Sequence, residues 1–224
     1  MKIRITRMSR YSWFKIKSGK TVIHFDPGYA GYFENQGIPS AELEEKADII
    51  LVSHKHKDHL QPEALALIAG EETKIIAPLG CFDETRYMYT IIEPNESVDI
   101  GRIKVTSVDA YNTRSGHSTR KVHHKGETVG YLVDIGGRRL YFAGDTDLIP
   151  EMRSLGRVDI AFLPIGGTFV MDIDEAVQAV CIIKPSIAIP MHQSKNDEQE
   201  FLKKVCLDSD SKALILGVGD TVEI

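Results

Sequence analysis

Short runs of β-branched and apolar residues, each closed by glycine, proline or polar turn formers, recur along the whole chain. Runs of this kind predict strands. Residues 2–6 (KIRIT), 12–18 (SWFKIKS) and 21–26 (TVIHFD) open the chain, with Ser18-Gly19-Lys20 as a hairpin turn. Residues 27–40 (PGYAGYFENQGIPS) predict a loop, 41–47 (AELEEKA) a short polar helix and 48–54 (DIILVSH) the next strand. In 61–70 (QPEALALIAG), Pro62 suits a first helical turn, Leu65 and Ile68 share a face, and Gly70 ends the helix. Strands are expected at 74–78, 97–100 and 102–111, and a hairpin joins 126–135 to 138–145 across Gly136-Gly137. Beyond it the pattern predicts a strand at 159–166, a helix at 173–184 and a strand at 185–193. A second helix near 196–205 and terminal strands at 213–218 and 221–224 complete it.

Both halves follow one scheme, antiparallel strands first and strand–helix units afterwards. No linker, low-complexity tract or solenoid repeat interrupts them. The expected architecture is therefore a single α/β domain spanning 1–224. It is an αββα four-layer sandwich, two mixed β-sheets packed face to face with helices outside.

Composition narrows the class without changing the fold. With 224 residues, 42% apolar and 26% charged, the chain reads as soluble and globular. A net charge of −5 argues against broad nucleic-acid binding, which leaves a basic footprint. The basic start MKIRITRMSRYSWFKIKSGK has no apolar core or cleavage site of a signal peptide. No apolar stretch approaches the ~20 residues of a membrane span. Cys81, Cys181 and Cys206 are odd in number and far apart, the pattern of reduced, inert thiols in a cytoplasmic protein.

The candidate chemistry begins at 51–60, LVSHKHKDHL, where three of eight histidines fall within six positions. A solvated histidine-rich loop is one explanation. The other is most of a metal site. Alternation along an extended segment would put His54 and His56 on one side, and the turn before Pro62 would aim Asp58 and His59 at a second point. Imidazole and carboxylate suit zinc, and also manganese or iron. Two distant strand ends strengthen the metal reading: LYFAGDTD delivers Asp145 after Ala-Gly, and IAIPMHQ delivers His192 after Pro190. Each alone has an ordinary explanation, a turn or cap aspartate and a rim histidine. Three strand ends presenting His, Asp and His together favour a metal centre.

HKHKDH has the form H-x-H-x-D-H, and with HFDPG, AGDTD, LPIGGTF and IPMH it resembles the metallo-β-lactamase superfamily. LPIGG, a helix and then IPMH look like the branch of metal-dependent hydrolases related to the ascorbate-6-phosphate lactonases. The resemblance implies two divalent ions, usually Zn2+, at one edge of the sandwich. Carried over by position, His54 and His56 bind the first ion, Asp58, His59 and His192 the second, and Asp145 bridges them. Many relatives place the first ion's third histidine where this chain has Asn112. His117, His123 and His124 are the alternatives. The run HHKG before VGYLV is similar to a related pattern, which favours His123 over His117 and His124.

The resemblance implies hydrolysis by a metal-bridging hydroxide, with Asp58 orienting the water and taking its proton. Asp26 in HFDPG is either a turn former or the residue that orients a ligand imidazole. His24 is expected to be a packed histidine. Arg114, Arg120, Lys121 and Lys125 lie in one loop with no acid among them. Beside a metal pair they would favour a small anionic substrate, an ester, lactone or phosphodiester. Gly166-Gly167 would let the chain pass close to a ligand, with Thr168 near the site. A nuclease acting on RNA or DNA is the alternative, opposed by the chain's acidity. Self-association is left open.

Overall fold

The structure, a computed structural model, describes residues 2–28, 41–82, 87–193 and 198–224. Most of the loop expected at 27–40, and the first residues of the helix expected near 196–205, lie outside these. The chain divides into two compact units, Met1–Ile92 with Leu216–Ile224, and Glu93–Ile215. Each unit is built on its own mixed sheet.

In the first unit the strands are β1 (Ile3–Arg7), β2 (Phe14–Ser18), β3 (Thr21–Phe25), β4 (Ile49–Leu51), β5 (Lys74–Ala77), β6 (Thr90–Ile91) and, from the chain end, β14 (Thr221–Glu223). They stand in the order β14-β1-β2-β3-β4-β5-β6. β14 to β3 are antiparallel, and β3 to β6 run parallel. Two helices complete the unit, α1 (Ala41–Glu44) and α2 (Pro62–Ile68). α2 joins parallel β4 to β5, and its Ala64, Leu65 and Ile68 pack with Met8, Trp13, Ile50 and Val52 in one apolar cluster. β4 is buried at every position, as a parallel strand covered on both faces should be.

The second unit repeats the plan. Its strands are β7 (Ser97–Ile100), β8 (Ile103–Ala110), β9 (Thr128–Ile135), β10 (Arg138–Phe142), β11 (Ile160–Pro164), β12 (Ile187–Met191) and β13 (Lys212–Ala213). β7 to β10 form an antiparallel meander, and β10 to β13 are parallel. The β9–β10 turn falls at Gly136 and Gly137, both at positive φ (62° and 81°), as a two-residue hairpin demands. Between β11 and β12 runs α3 (Ile173–Ile183), and before β13 runs α4 (Glu198–Asp208). α3 starts where the Asp172 carboxylate accepts the Glu175 N–H and stops at Lys184 in the left-handed region (φ 53°). It buries Ile173, Ala176, Val177, Val180 and Ile183, a helical stripe.

Two expectations are corrected, and two short elements are added. The strand expected at 213–218 ends after Ala213. Leu214 N–H still bonds the Ala188 carbonyl, and then the chain turns where the Asp220 carboxylate takes the Gly217 N–H. The strand expected at 48–54 ends at Leu51, with one more ladder bond from Val52 to Ile76. The short β6 and a 3-10 turn at Pro150–Ser154 were not expected.

Within each sheet, taken by itself, the parallel strands end at one edge. Phe25 pairs with Leu51 in the first, and Phe142 with Phe162 and Pro164 with Met191 in the second. Residues just after these strands therefore gather where open α/β sheets place ligands, at the carboxyl ends of parallel strands.

His24, on β3, is the packed histidine expected: fully buried, with Nδ1 accepting the Trp13 indole N–H at 2.8 Å. Burial, helped by the Lys15 charge, pulls its pKa down to about 3. The unfolded imidazole titrates near 6.5, so between these values only the unfolded chain takes the proton. The stability that neutral His24 contributes is complete above pH ~6.5 and falls by about 1.4 kcal/mol per unit as pH drops towards ~3. Urea unfolding in chelator between pH 4 and 7 should show His24→Leu with an acid slope shallower by about that amount. An unchanged slope would contradict the buried neutral state.

Candidate metal centre

Asp26 leaves β3 at positive φ (44°), unusual for a residue other than glycine. Its carboxylate is fully buried and takes three short contacts. Ser53 gives its N–H to Oδ1 and its hydroxyl to Oδ2, both at 2.7 Å, and His59 Nδ1 lies 2.6 Å from Oδ2. Burial pushes the Asp26 carboxyl up; His59 and the Ser53 donors oppose it. A carboxylate there fixes the His59 tautomer: Nδ1 carries the proton and Nε2 keeps its lone pair. That Nε2 lies 3.6 Å from Asp58 Oδ2.

The remaining histidines of HKHKDH converge through a turn, not through the strand alternation expected from sequence. His59 and Leu60 N–H groups both return to the His56 carbonyl at 2.9 Å. His54 Nε2 then lies 3.0 Å from His56 Nδ1, with the rings nearly perpendicular, and the His54 and His59 ring centroids are 4.0 Å apart. Gly28 makes this turn possible, since a Cβ there would sit 2.2 Å from the Asp58 carbonyl carbon. Beside the turn is an apolar cavity of about 440 Å³ lined by Lys55, Leu60, Pro62, Leu65, Cys81, Phe82 and Tyr87.

The second unit brings together His123, Asp145 and His192. Asp145 follows β10 through Ala143-Gly144 and is buried. Its Oδ2 lies 3.4 Å from His123 Nε2 and 3.2 Å from His192 Nε2. His123 Nδ1 is 3.2 Å from the Phe169 carbonyl, which only accepts, so Nδ1 is the donor and Nε2 turns a lone pair towards Asp145. A lone pair facing a carboxylate oxygen at that range suits a shared cation. The donor set of each unit, imidazole nitrogen with carboxylate oxygen, thus fits a divalent metal ion. His192 sits at positive φ (48°), and Gly166 lets its carbonyl approach: a Cβ there would be 2.5 Å from that oxygen. Gly166 therefore serves His192 packing, where sequence suggested ligand approach.

Among the three alternatives, His123 is buried beside Asp145, His117 is exposed and bonds Asp172, and His124 is exposed. Asn112, where the resemblance led to the expectation of a histidine, is the hub that holds His123. Its Oδ1 accepts the N–H groups of Val122 and His123, both at 3.0 Å, and its own N–H bonds the His123 carbonyl. Its amide group donates to the Phe169 carbonyl, Asp147 and Ser118. Sequence reasoning saw Asn112 only as the place of an absent histidine and missed the fully buried Asp147; the second aspartate of AGDTD was the available signal. Asn112→Ala should weaken metal binding and hydrolysis about 10–100-fold, as loss of an orienting partner does. Metal affinity equal to the native protein's would remove Asn112 from the site.

The basic loop is less free than expected. Lys121 pairs with Asp147 at 2.9 Å, Lys125 with Glu151 at 2.5 Å, and Arg120 lies over the Phe169 ring. The acids come from distant elements, which a local charge count cannot see.

Comparison with known proteins gives the context. A family model described as a β-lactamase superfamily domain matches residues 5–192. The chain is similar to a UPF0173 metal-dependent hydrolase of Methanosarcina mazei, 30% identical over 85% of this chain and 87% of that protein. Another of that description, from Staphylothermus marinus, is 36% identical over 79% of this chain and 78% of its own. A Parabacteroides distasonis protein of known crystal structure superposes with a TM-score of 0.82 at 31% identity, covering 94% of this chain and 91% of its own.

Proposed function

From the premise that the chain belongs to the metallo-β-lactamase superfamily and is a metal-dependent hydrolase, we propose that it cleaves a small, anionic ester, lactone or phosphodiester at a dinuclear centre. In this reading the two units work as one domain, 1–224, of αββα form. His54, His56 and His123 would hold the first ion and Asp58, His59 and His192 the second, with Asp145 a ligand available to both. Zn2+ is the first candidate, with Mn2+ or Fe as substitutes. When bound, the ions would lower the pKa of a water and polarise the scissile group. The residues do the rest. Asp58 accepts the proton of the attacking water; Asp26 holds the His59 tautomer; Asn112 holds His123.

One observation supports the reading above the others: Asp145 Oδ2 faces two imidazole nitrogens, one of them fixed as a lone-pair donor. The cavity lined by Lys55, Leu60 and Phe82 favours a substrate with an apolar part and an anionic group. The likeness of LPIGG and IPMH to the lactonase-related branch supports a lactone. No helix among the described residues is long and apolar enough to cross a membrane, and all three cysteines are free, which supports the cytoplasm as the place of action. A panel of p-nitrophenyl esters, lactones and bis-p-nitrophenyl phosphate, assayed with and without chelator, tests it. Turnover lost on chelation and restored by Zn2+ or Mn2+ is expected. Turnover that survives chelation would sink the proposal.

A further inference from the structure

The loop carrying His123 meets the start of α3 at a second cluster that shares no residue with the one around Asp145. His117 Nδ1 lies 2.8 Å from Asp172 Oδ2, and one ligand atom from each of His117, Asp172 and Glu175 falls within 4.8 Å of the others. Asp172 and Glu175 have the spacing of a capping box, in which the N3 glutamate reaches back to the N-cap N–H. Only half of the box forms. Asp172 Oδ1 caps the Glu175 N–H at 2.9 Å, but the Glu175 carboxylate turns away to accept the main-chain N–H of His117. Its Oε2 has no hydrogen-bond partner, although the residue is only 4% exposed.

Helix capping does not account for that oxygen. Burial pushes the Glu175 carboxyl up, the His117 main-chain N–H and imidazole oppose this, and Asp147 and Asp172 add to it, so the net effect still leaves its charge short of counter-charge. A divalent cation would supply one. From these contacts we infer that His117, Asp172 and Glu175 form an additional divalent-cation site, separate from the proposed hydrolytic centre, that clasps the 113–125 loop to the N-terminus of α3. One imidazole nitrogen and two carboxylates match a borderline ion such as Zn2+, with water in the remaining positions. Ligands of one zinc ion lie ~3.3 Å apart at 2.0–2.1 Å bond lengths, so small side-chain shifts close the site. His117 is 46% and Asp172 33% exposed, so the ion enters from solvent and binds less tightly than one in a closed centre. Filling it orders the segment that carries His123.

The test is equilibrium dialysis of the full chain against buffered Zn2+ with elemental analysis, for the native protein, His117→Ala, Glu175→Gln and His54→Ala. His117→Ala and Glu175→Gln should each hold one zinc ion fewer than native, and His54→Ala should keep this ion. Zn2+ should also slow tryptic cleavage at Arg114, Arg120 and Lys121 in His54→Ala, and the double variant with His117→Ala should lose that protection. His117 is exposed, so its variant reports even where Glu175→Gln misfolds. A full native zinc complement in both His117→Ala and Glu175→Gln would overturn the site. Loss in His117→Ala with none in His54→Ala would leave this site standing and remove the hydrolytic centre instead.

Discussion

Asp145→Ala should abolish measurable hydrolysis and remove metal from the proposed hydrolytic centre. Asp145 offers one carboxylate oxygen to two imidazoles, at 3.4 Å from His123 and 3.2 Å from His192. If that oxygen bridges two ions, its loss removes a direct ligand from both. The fall should exceed the roughly 10–100-fold that follows loss of an outer partner. Hydrolysis of bis-p-nitrophenyl phosphate and elemental analysis read the two effects together. A variant within about tenfold of native turnover, ~1.4 kcal/mol in transition-state stabilisation, would remove Asp145 from the chemistry.

The next largest effect is at Asp26, where two substitutions separate folding from metal binding. Asp26→Ala leaves the Ser53 N–H, the Ser53 hydroxyl and the His59 Nδ1 proton without their common acceptor in a fully buried place. Leaving a buried donor unpaired costs about 1–3 kcal/mol, and here up to three are affected, which should be visible as a lower urea midpoint. Asp26→Asn behaves differently. Asparagine tolerates positive φ and can still accept from Ser53, so most of the stability should remain. Its amide nitrogen would meet His59 Nδ1 as a donor and drive the ring proton to Nε2, the atom facing Asp58. Zinc affinity should then fall about 10–100-fold with little change in the urea midpoint. Unchanged affinity in Asp26→Asn would show that Asp26 only supports the fold.

Much of this was legible in the chain because parallel strands end abruptly and deliver their next residues to the carboxyl edge of their own sheet. HKHKDH, AGDTD and PMHQ are such ends, and Asp145 and His192 lie where that pattern puts them. The Gly136-Gly137 hairpin and α3 were legible for local reasons, a left-handed turn and a capped amphipathic stripe. Non-local contacts were not. The turn that draws His54 and His56 together depends on Gly28, thirty residues before Asp58. The charge of the 114–125 loop read as free because its acids, Asp147 and Glu151, stand after β10. Asn112 looked like a missing ligand, yet its contacts make it the anchor of the histidine beside Asp145. Asp26 read equally as a turn former, and only the bonds from Ser53 and His59 separate the two roles.

The most direct measurement is the metal content of protein purified without added metal, beside His54→Ala and His123→Ala. The dinuclear account predicts about two divalent ions per chain, beyond any held at His117, Asp172 and Glu175, and a fall in both variants. A fall in His54→Ala alone would move the third ligand away from His123. Native protein that holds no metal, and takes up none on reconstitution, would contradict the account.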